Sequence, residues 1–210
     1  MHYLLANPSS VLVLTWQHLR IVGTAVFLAL LIGIPTGVAI TRVRWLAAPV
    51  LATAGVLYTI PSLALFAVLI PLTGLGERPA IVAVLVYSLL VIIRNTVAGI
   101  DAVEPSIREA AHGMGMTPWQ RLRLVEIPLG LPVILAGIRV ATVAGIGIAT
   151  IAAYVGAGGL GVLIFDGIRT LNLDTVVAGA LSASALALAA DWAFVQLESH
   201  ARRDRSRGVS

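Results

Sequence analysis

Few residues in this 210-residue chain can do chemistry. There are four histidines, His2, His18, His112 and His200, all 14 basic residues are arginine, and cysteine is absent. Without cysteine there is no thiolate metal site. Without lysine there is no Walker A loop, whose Lys must reach the β and γ phosphates. No HExxH or GxSxG stretch and no carboxylate pair falls within the apolar stretches, and no histidine sits in the middle of one, so metal, proton-relay and hydrolase chemistry are disfavoured. His112 reads as a solvated polar residue. The stretch with a purpose still to explain is EAAHGMGMTPWQRLRLVEIP, residues 109–128, a charged and punctuated break in an otherwise apolar chain.

Seven charged residues fall between Asp101 and Glu126, so this segment is wet. Ser106 followed by Glu109, and Thr117 followed by Gln120, each fit a capping box that starts a helix. Pro118 suits the first helical position, where a missing N–H costs nothing. Gly113 and Gly115 allow the reversal between the two helices, and Pro128 is expected to end the second helix near Glu126 or Ile127. The spacing therefore predicts helix, glycine turn, helix. Ala110 and Ala111 keep the first helix slim enough for close approach by another surface. Met114, Met116 and Trp119 add apolar groups where a membrane loop is ordinarily polar, which marks a docking surface. For Trp119 and Leu122, packing beneath their own bundle is an equal alternative.

The elements that hold this break are set by composition. The chain is 59% hydrophobic and 11% charged, against about a quarter charged in soluble domains. That shortfall cannot be hidden in a core of this size, so the solvent is lipid and the fold class is all-α, a polytopic membrane bundle. Apolar stretches at Ile21–Thr41, 47–71, 80–98, 131–154 and 176–196, the first two without any charge, predict about five spans of ~20 residues. Pro35 lies within the first, and the second is kinked or broken at Pro61. Residues 1–18 read as an extracytoplasmic or interfacial segment without a signal peptide, 19–198 as the transmembrane domain with the break at 101–130, and 199–210 as a basic tail. The Gly-rich stretch 156–174 fits a loop, an interfacial helix or a short sixth span.

Eleven arginines, counting Arg94 and Arg139 that flank the central break, fall on one side of such a bundle and only Arg20, Arg78 and Arg169 on the other. By the positive-inside rule, the central break and the C-terminus face the cytoplasm and the N-terminus faces out. That distribution explains the net charge of +4 through topology, with no nucleic-acid partner.

Glu109, Ala110, Ala111 and Gly115, with Val125, Ile127 and Pro128 at the matching spacing, resemble the EAA signature of permease subunits in bacterial ABC importers. The resemblance implies a cytoplasmic coupling helix seated in a cleft of a separate ATP-hydrolysing subunit, with Glu109, Ala110, Ala111, Gly113, Gly115, Thr117, Pro118, Trp119 and Pro128 forming the coupling site. It also implies that this chain is not an enzyme and holds no cofactor or metal, ATP and Mg being on the partner. IPSLALFAVLIPLTGLG (60–76), YSLLVIIRNTVAGI (87–100), GMTPWQRLRLVEIPLGLPVILAGIR (115–139) and AAYVGAGGLGVLIFDGI (152–168) are similar to osmoprotectant permeases for glycine betaine, choline and carnitine in the bacterial inner membrane. The family implies a second permease copy, identical or paralogous, and an extracytoplasmic solute-binding protein. An ABC permease for another small solute, such as an amino acid, is the alternative within the family.

Aromatic faces attract a quaternary ammonium cation, and Tyr58, Tyr87 and Tyr154, with Pro61 as a flexible point, are the candidates to line a passage. Interfacial belts also enrich tyrosine. Gly145, Ala149, Ala153 and Ala157 recur every fourth residue as a small-residue face, for packing within the chain or along a dimer seam. Arg94 and Asn95 are expected to bond backbone carbonyls or the central break. The competing classes are a channel or secondary carrier without an ATPase and a membrane enzyme. The former lacks an acidic group at mid-bilayer and the latter a catalytic set.

Overall fold

The computed structural model describes residues 2–207; Met1 and residues 208–210, the end of the tail expected over 199–210, lie outside the described residues. Regular structure among the described residues is helical throughout. A short α1, His2–Ala6, precedes α2, Pro8–Arg42, which has Pro8 in its first turn and runs on through Pro35. The first span thus begins well before Ile21 and takes in residues 8–18, which were expected to lie apart from the bundle. Arg20 interrupts the apolar run there but not the backbone hydrogen bonding.

The second apolar stretch is broken, as Pro61 requires. Helix α3, Ala47–Thr59, ends at Ile60, and α4, Ser62–Thr73, starts after Pro61. Ile60 and Pro61 are extended at φ −64°, ψ 125° and φ −57°, ψ 137°, the conformation that a following proline enforces on Ile60. The two arms meet at 98°. Helix α5 is Glu77–Asp101, α6 is Pro105–Gly113 and α7 is Pro118–Arg121. A π-helical turn, Leu122–Glu126, joins α7 to α8, Ile127–Ala152.

Pro128 therefore does not end a helix. The π turn before it shifts the register, with the Ile127 N–H reaching back five residues to Leu122 O, and Pro128 falls in the first turn of α8, where a missing donor is tolerated. Beyond α8, the 156–174 stretch is a loop followed by α9, Gly161–Arg169, whose nine residues are too short to cross a bilayer. Helix α10, Leu173–Arg207, is the last element among the described residues.

Among the described residues, four helical segments are long and apolar enough to span a membrane: Pro8–Arg42, Glu77–Asp101, Pro118–Val155 and Leu173–Ser199. Counting the bent α3–α4 pair as one broken span makes five. Helix α5 is the centre of the bundle, packed between α2 and α8, and α10 lies against α8 and α9. The main core forms where Val22 and Ala25 of α2 meet Phe66 of α4, Val84 of α5 and Ile146 and Ala149 of α8.

Helices approach closely here through small residues, since apolar side chains gain little by leaving lipid for one another. Gly145 faces Val84 of α5, and Ala149 and Ala157 are buried. That small-residue face is used within the chain, and its fourth-residue repeat ends where Ala153–Val155 tightens into a 3₁₀ turn.

Candidate functional site

The polar break folds as the helix–turn–helix that its sequence predicts, with its caps partly rearranged. Glu104, not Ser106, is the N-cap of α6, because Pro105 takes the first turn; the Ser106 hydroxyl donates to Glu104 Oε1 at 2.6 Å. At the other end the Gly115 N–H reaches His112 O at 2.9 Å and the Met116 N–H reaches Ala111 O at 3.2 Å. This pair of bonds is a Schellman motif, which demands a left-handed residue at the Gly115 position, and φ there is +76°. Gly113 is the last helical residue and takes no special angle. The Thr117–Gln120 box is complete: the Gln120 N–H donates to Thr117 Oγ1 at 3.3 Å and the Thr117 N–H to Gln120 Oε1 at 2.8 Å, with Pro118 following as expected.

This hairpin presents an uneven surface. Glu109 and Ala110 are exposed, whereas Ala111 is buried against the rest of the chain. The two alanines thus differ in surroundings, Ala110 open to solvent and Ala111 turned toward the bundle. Met114, Trp119 and Leu124 are 70%, 66% and 61% exposed, and Leu122 is buried. Trp119 therefore points away from its own bundle and Leu122 packs into it.

Arginines tie this end together. Arg44, beyond α2, makes a bidentate pair with Asp101 at the end of α5, at 2.7 and 3.0 Å. Arg108 of α6 donates to the Ile100 carbonyl. Arg42 and Arg121 both donate to Glu126, whose side chain is fully buried. Further into the bundle, Arg139 of α8 grips Asp191 of α10 at 2.5 and 2.8 Å. Asp191 is thereby committed to a structural pair. Asn95 donates to Val91 O within its own helix at 2.9 Å, and Arg94 is exposed.

The four residues proposed to line a passage separate into two groups. Tyr58 and Tyr87 meet edge to face with ring centroids 5.8 Å apart, and the Tyr87 hydroxyl donates to the Ile60 carbonyl at the Pro61 break. The break frees that carbonyl and Tyr87 satisfies it, which explains a buried tyrosine here. Tyr87→Phe should therefore destabilise the chain by about 1–3 kcal/mol through an unpaired buried acceptor, read as a lowered thermal midpoint in detergent. Tyr154 lies apart, on Phe165 of α9 with centroids 5.6 Å apart. Both rings line a cleft of about 640 Å³ with Leu63, Phe66 and Ile70 of α4.

His18 is a buried residue that the sequence reading placed outside the spans. Its Nδ1 accepts the Leu160 N–H at 3.3 Å and its Nε2 lies 3.0 Å from Ile146 O, so the proton is on Nε2. Next to it, Gln17 Oε1 accepts the Gly159 N–H at 3.1 Å. Together they pin the Gly156–Leu160 loop to α2 at the end opposite the hairpin. A lone histidine gave no sign of this, because its partners lie more than a hundred residues downstream.

Known proteins bear on the whole arrangement. The chain is 51% identical over 202 residues to an osmoprotectant import permease protein of Salmonella typhimurium, covering 94% of each. It is 45% identical over 192 residues to a carnitine transport permease protein of Listeria monocytogenes, covering 91% of this chain and 88% of the other. Its fold is similar to that in inward-facing structures of the MetNI methionine ABC transporter, with a TM-score of 0.84, 24% identity and coverage of 91% of this chain and 95% of that one. The family described as binding-protein-dependent transport system inner membrane component matches residues 12–203, from early in α2 to the end of the bundle, and the chain belongs to it.

Proposed function

We propose that this chain is the transmembrane subunit of an ATP-driven importer for quaternary-ammonium osmolytes such as glycine betaine, choline and carnitine. The observation that carries the substrate class is the 51% identity, end to end, to an osmoprotectant import permease. Relatives named for choline transport and for glycine betaine, carnitine and choline transport in Bacillus subtilis, 41% and 42% identical, support the same class. ATP and Mg are used on a separate ATPase subunit. The chain itself has no Lys for a Walker A loop, and its Asp191 is taken by Arg139, which leaves no free carboxylate there for an ion-coupled carrier.

In this reading the 105–121 hairpin is the coupling site, at the cytoplasmic end marked by the arginine excess, with the N-terminus outside. A bundle of four or five spans is too small to enclose an aqueous route alone, so two permease chains pair, identical or paralogous. Two ATPases dock below and a solute-binding protein docks above. Closure of the ATPases on ATP moves both hairpins and switches the cavity from outward to inward access. The Tyr154–Phe165 cleft offers aromatic faces to a cationic head group.

The test is uptake of labelled glycine betaine, choline and carnitine by proteoliposomes holding the permease, its ATPase and its binding protein. ATP-dependent accumulation of at least one is expected. Uphill transport by the permease alone would overturn the ATPase assignment. Accumulation of an amino acid in place of all three would overturn the substrate class.

A further inference from the structure

Glu126 occupies a position that the EAA pattern leaves open, yet it is the most heavily committed carboxylate at this end of the molecule. Its side chain is fully buried and lies at the last position of the π turn. One oxygen, Oε1, accepts Arg121 Nε at 3.1 Å and Arg42 Nη1 at 3.3 Å; Oε2 accepts Arg42 Nη2. Arg42 is the last residue of α2, and Arg121 is the last residue of the hairpin's second helix. A single carboxylate thus joins the hairpin, the base of α8 and the first membrane helix.

The pair between Arg121 and Glu126 also depends on the π turn. At 3.6 residues per turn, side chains five apart on an α-helix point about 140° away from each other. The i to i+5 bond of a π turn brings such residues onto one face, and the Ile127 N–H to Leu122 O bond is of that kind. The ion pair and the π turn therefore form and break together. Burial makes the arrangement unforgiving, since a carboxylate without its guanidinium partners would be stranded away from water.

We propose that Glu126 is a positioning residue that transmits movement of the hairpin to two membrane helices at once, to α8 through the π turn and to α2 through Arg42. This rests on the hairpin being the coupling site. Without the clamp, a push on the hairpin unwinds or re-registers the π turn and is dissipated before α2 moves. The bundle then no longer follows the ATPase.

The experiment compares ATP hydrolysis with glycine betaine uptake in proteoliposomes of the complete transporter, for the parent, Glu126→Gln and Arg121→Gln. Glu126→Gln keeps the side chain's shape but loses the charge; Arg121→Gln leaves Glu126 paired with Arg42. Both are expected to retain the ATPase and hydrolyse ATP, while betaine moved per ATP falls by about tenfold in Glu126→Gln and by a smaller factor in Arg121→Gln, as for mutations along a coupling route. An unchanged ratio in both variants overturns the proposal. So does loss of assembly in both, because Glu126 would then only hold the fold. Failure of the parent to take up betaine would instead count against the substrate reading.

Discussion

Replacing Met114 and Trp119 together by aspartate is expected to strip the ATPase from the permease while leaving the bundle folded. Both side chains are largely exposed and neither belongs to a buried cluster. Surface substitutions of that kind ordinarily change stability by no more than about 0.5 kcal/mol. At an interface the same side chains would be anchors, since truncating a central aromatic or Met-filled contact costs about 2 kcal/mol or more, roughly 30-fold in Kd. Aspartate adds a desolvated charge to that loss. The measurement is titration of the detergent-solubilised permease with its ATPase, alongside the thermal midpoint of the permease alone. At least ~30-fold weaker binding with an almost unchanged midpoint is the expected pair of results. Parent-like binding would remove the hairpin from the interface, and a collapsed midpoint would mean that these residues serve the fold.

The hairpin was legible in the sequence because its determinants are local. The Thr117–Gln120 box spans four residues and forms as read. Gly113 and Gly115 both suited the reversal, and only Gly115 takes the left-handed angle that closes a Schellman turn. The Pro61 break was equally local, a matter of one ring and the residue before it. Errors arose where two local signals competed. Ser106-x-x-Glu109 is a sound capping box until Pro105 claims the first turn and moves the cap to Glu104. Pro128 is a helix terminator unless the chain inserts a π turn ahead of it, and no sequence rule announces one. What depended on distant partners was hidden. His18 is explained by Ile146 and Leu160, and Glu126 by Arg42, 84 residues away. Arginines that counted toward topology thus also hold the fold, and charge counting cannot separate the two roles.

Gly130→Ala is expected to destabilise the chain by about 3 kcal/mol, whereas Gly55→Ala, the same change in another membrane helix, should be harmless or favourable. Helices α5 and α8 cross at Gly99 and Gly130 with their backbones in contact. A Cβ on Gly130 would lie 2.6 Å from Gly99 O, and one on Gly99 would lie 2.7 Å from Gly130 O. The obstacle is main chain, which cannot rotate aside like a side chain. Helix α5 cannot retreat either, because its opposite flank is held as tightly. A Cβ on Gly37 of α2 would lie 2.6 Å from Thr96 Cβ, and one on Gly33 would lie 2.8 Å from Ile92 Cγ2. Overpacking commonly costs 1–3 kcal/mol, and a contact fixed on both flanks should reach about 3 kcal/mol. Around Gly55 nothing lies within 4 Å of the added methyl, so the gain in helix preference, about 0.4–1 kcal/mol, goes unopposed. Thermal midpoints of the two variants in the same detergent should move in opposite directions. Equal shifts would show that α5 and α8 do not cross backbone to backbone.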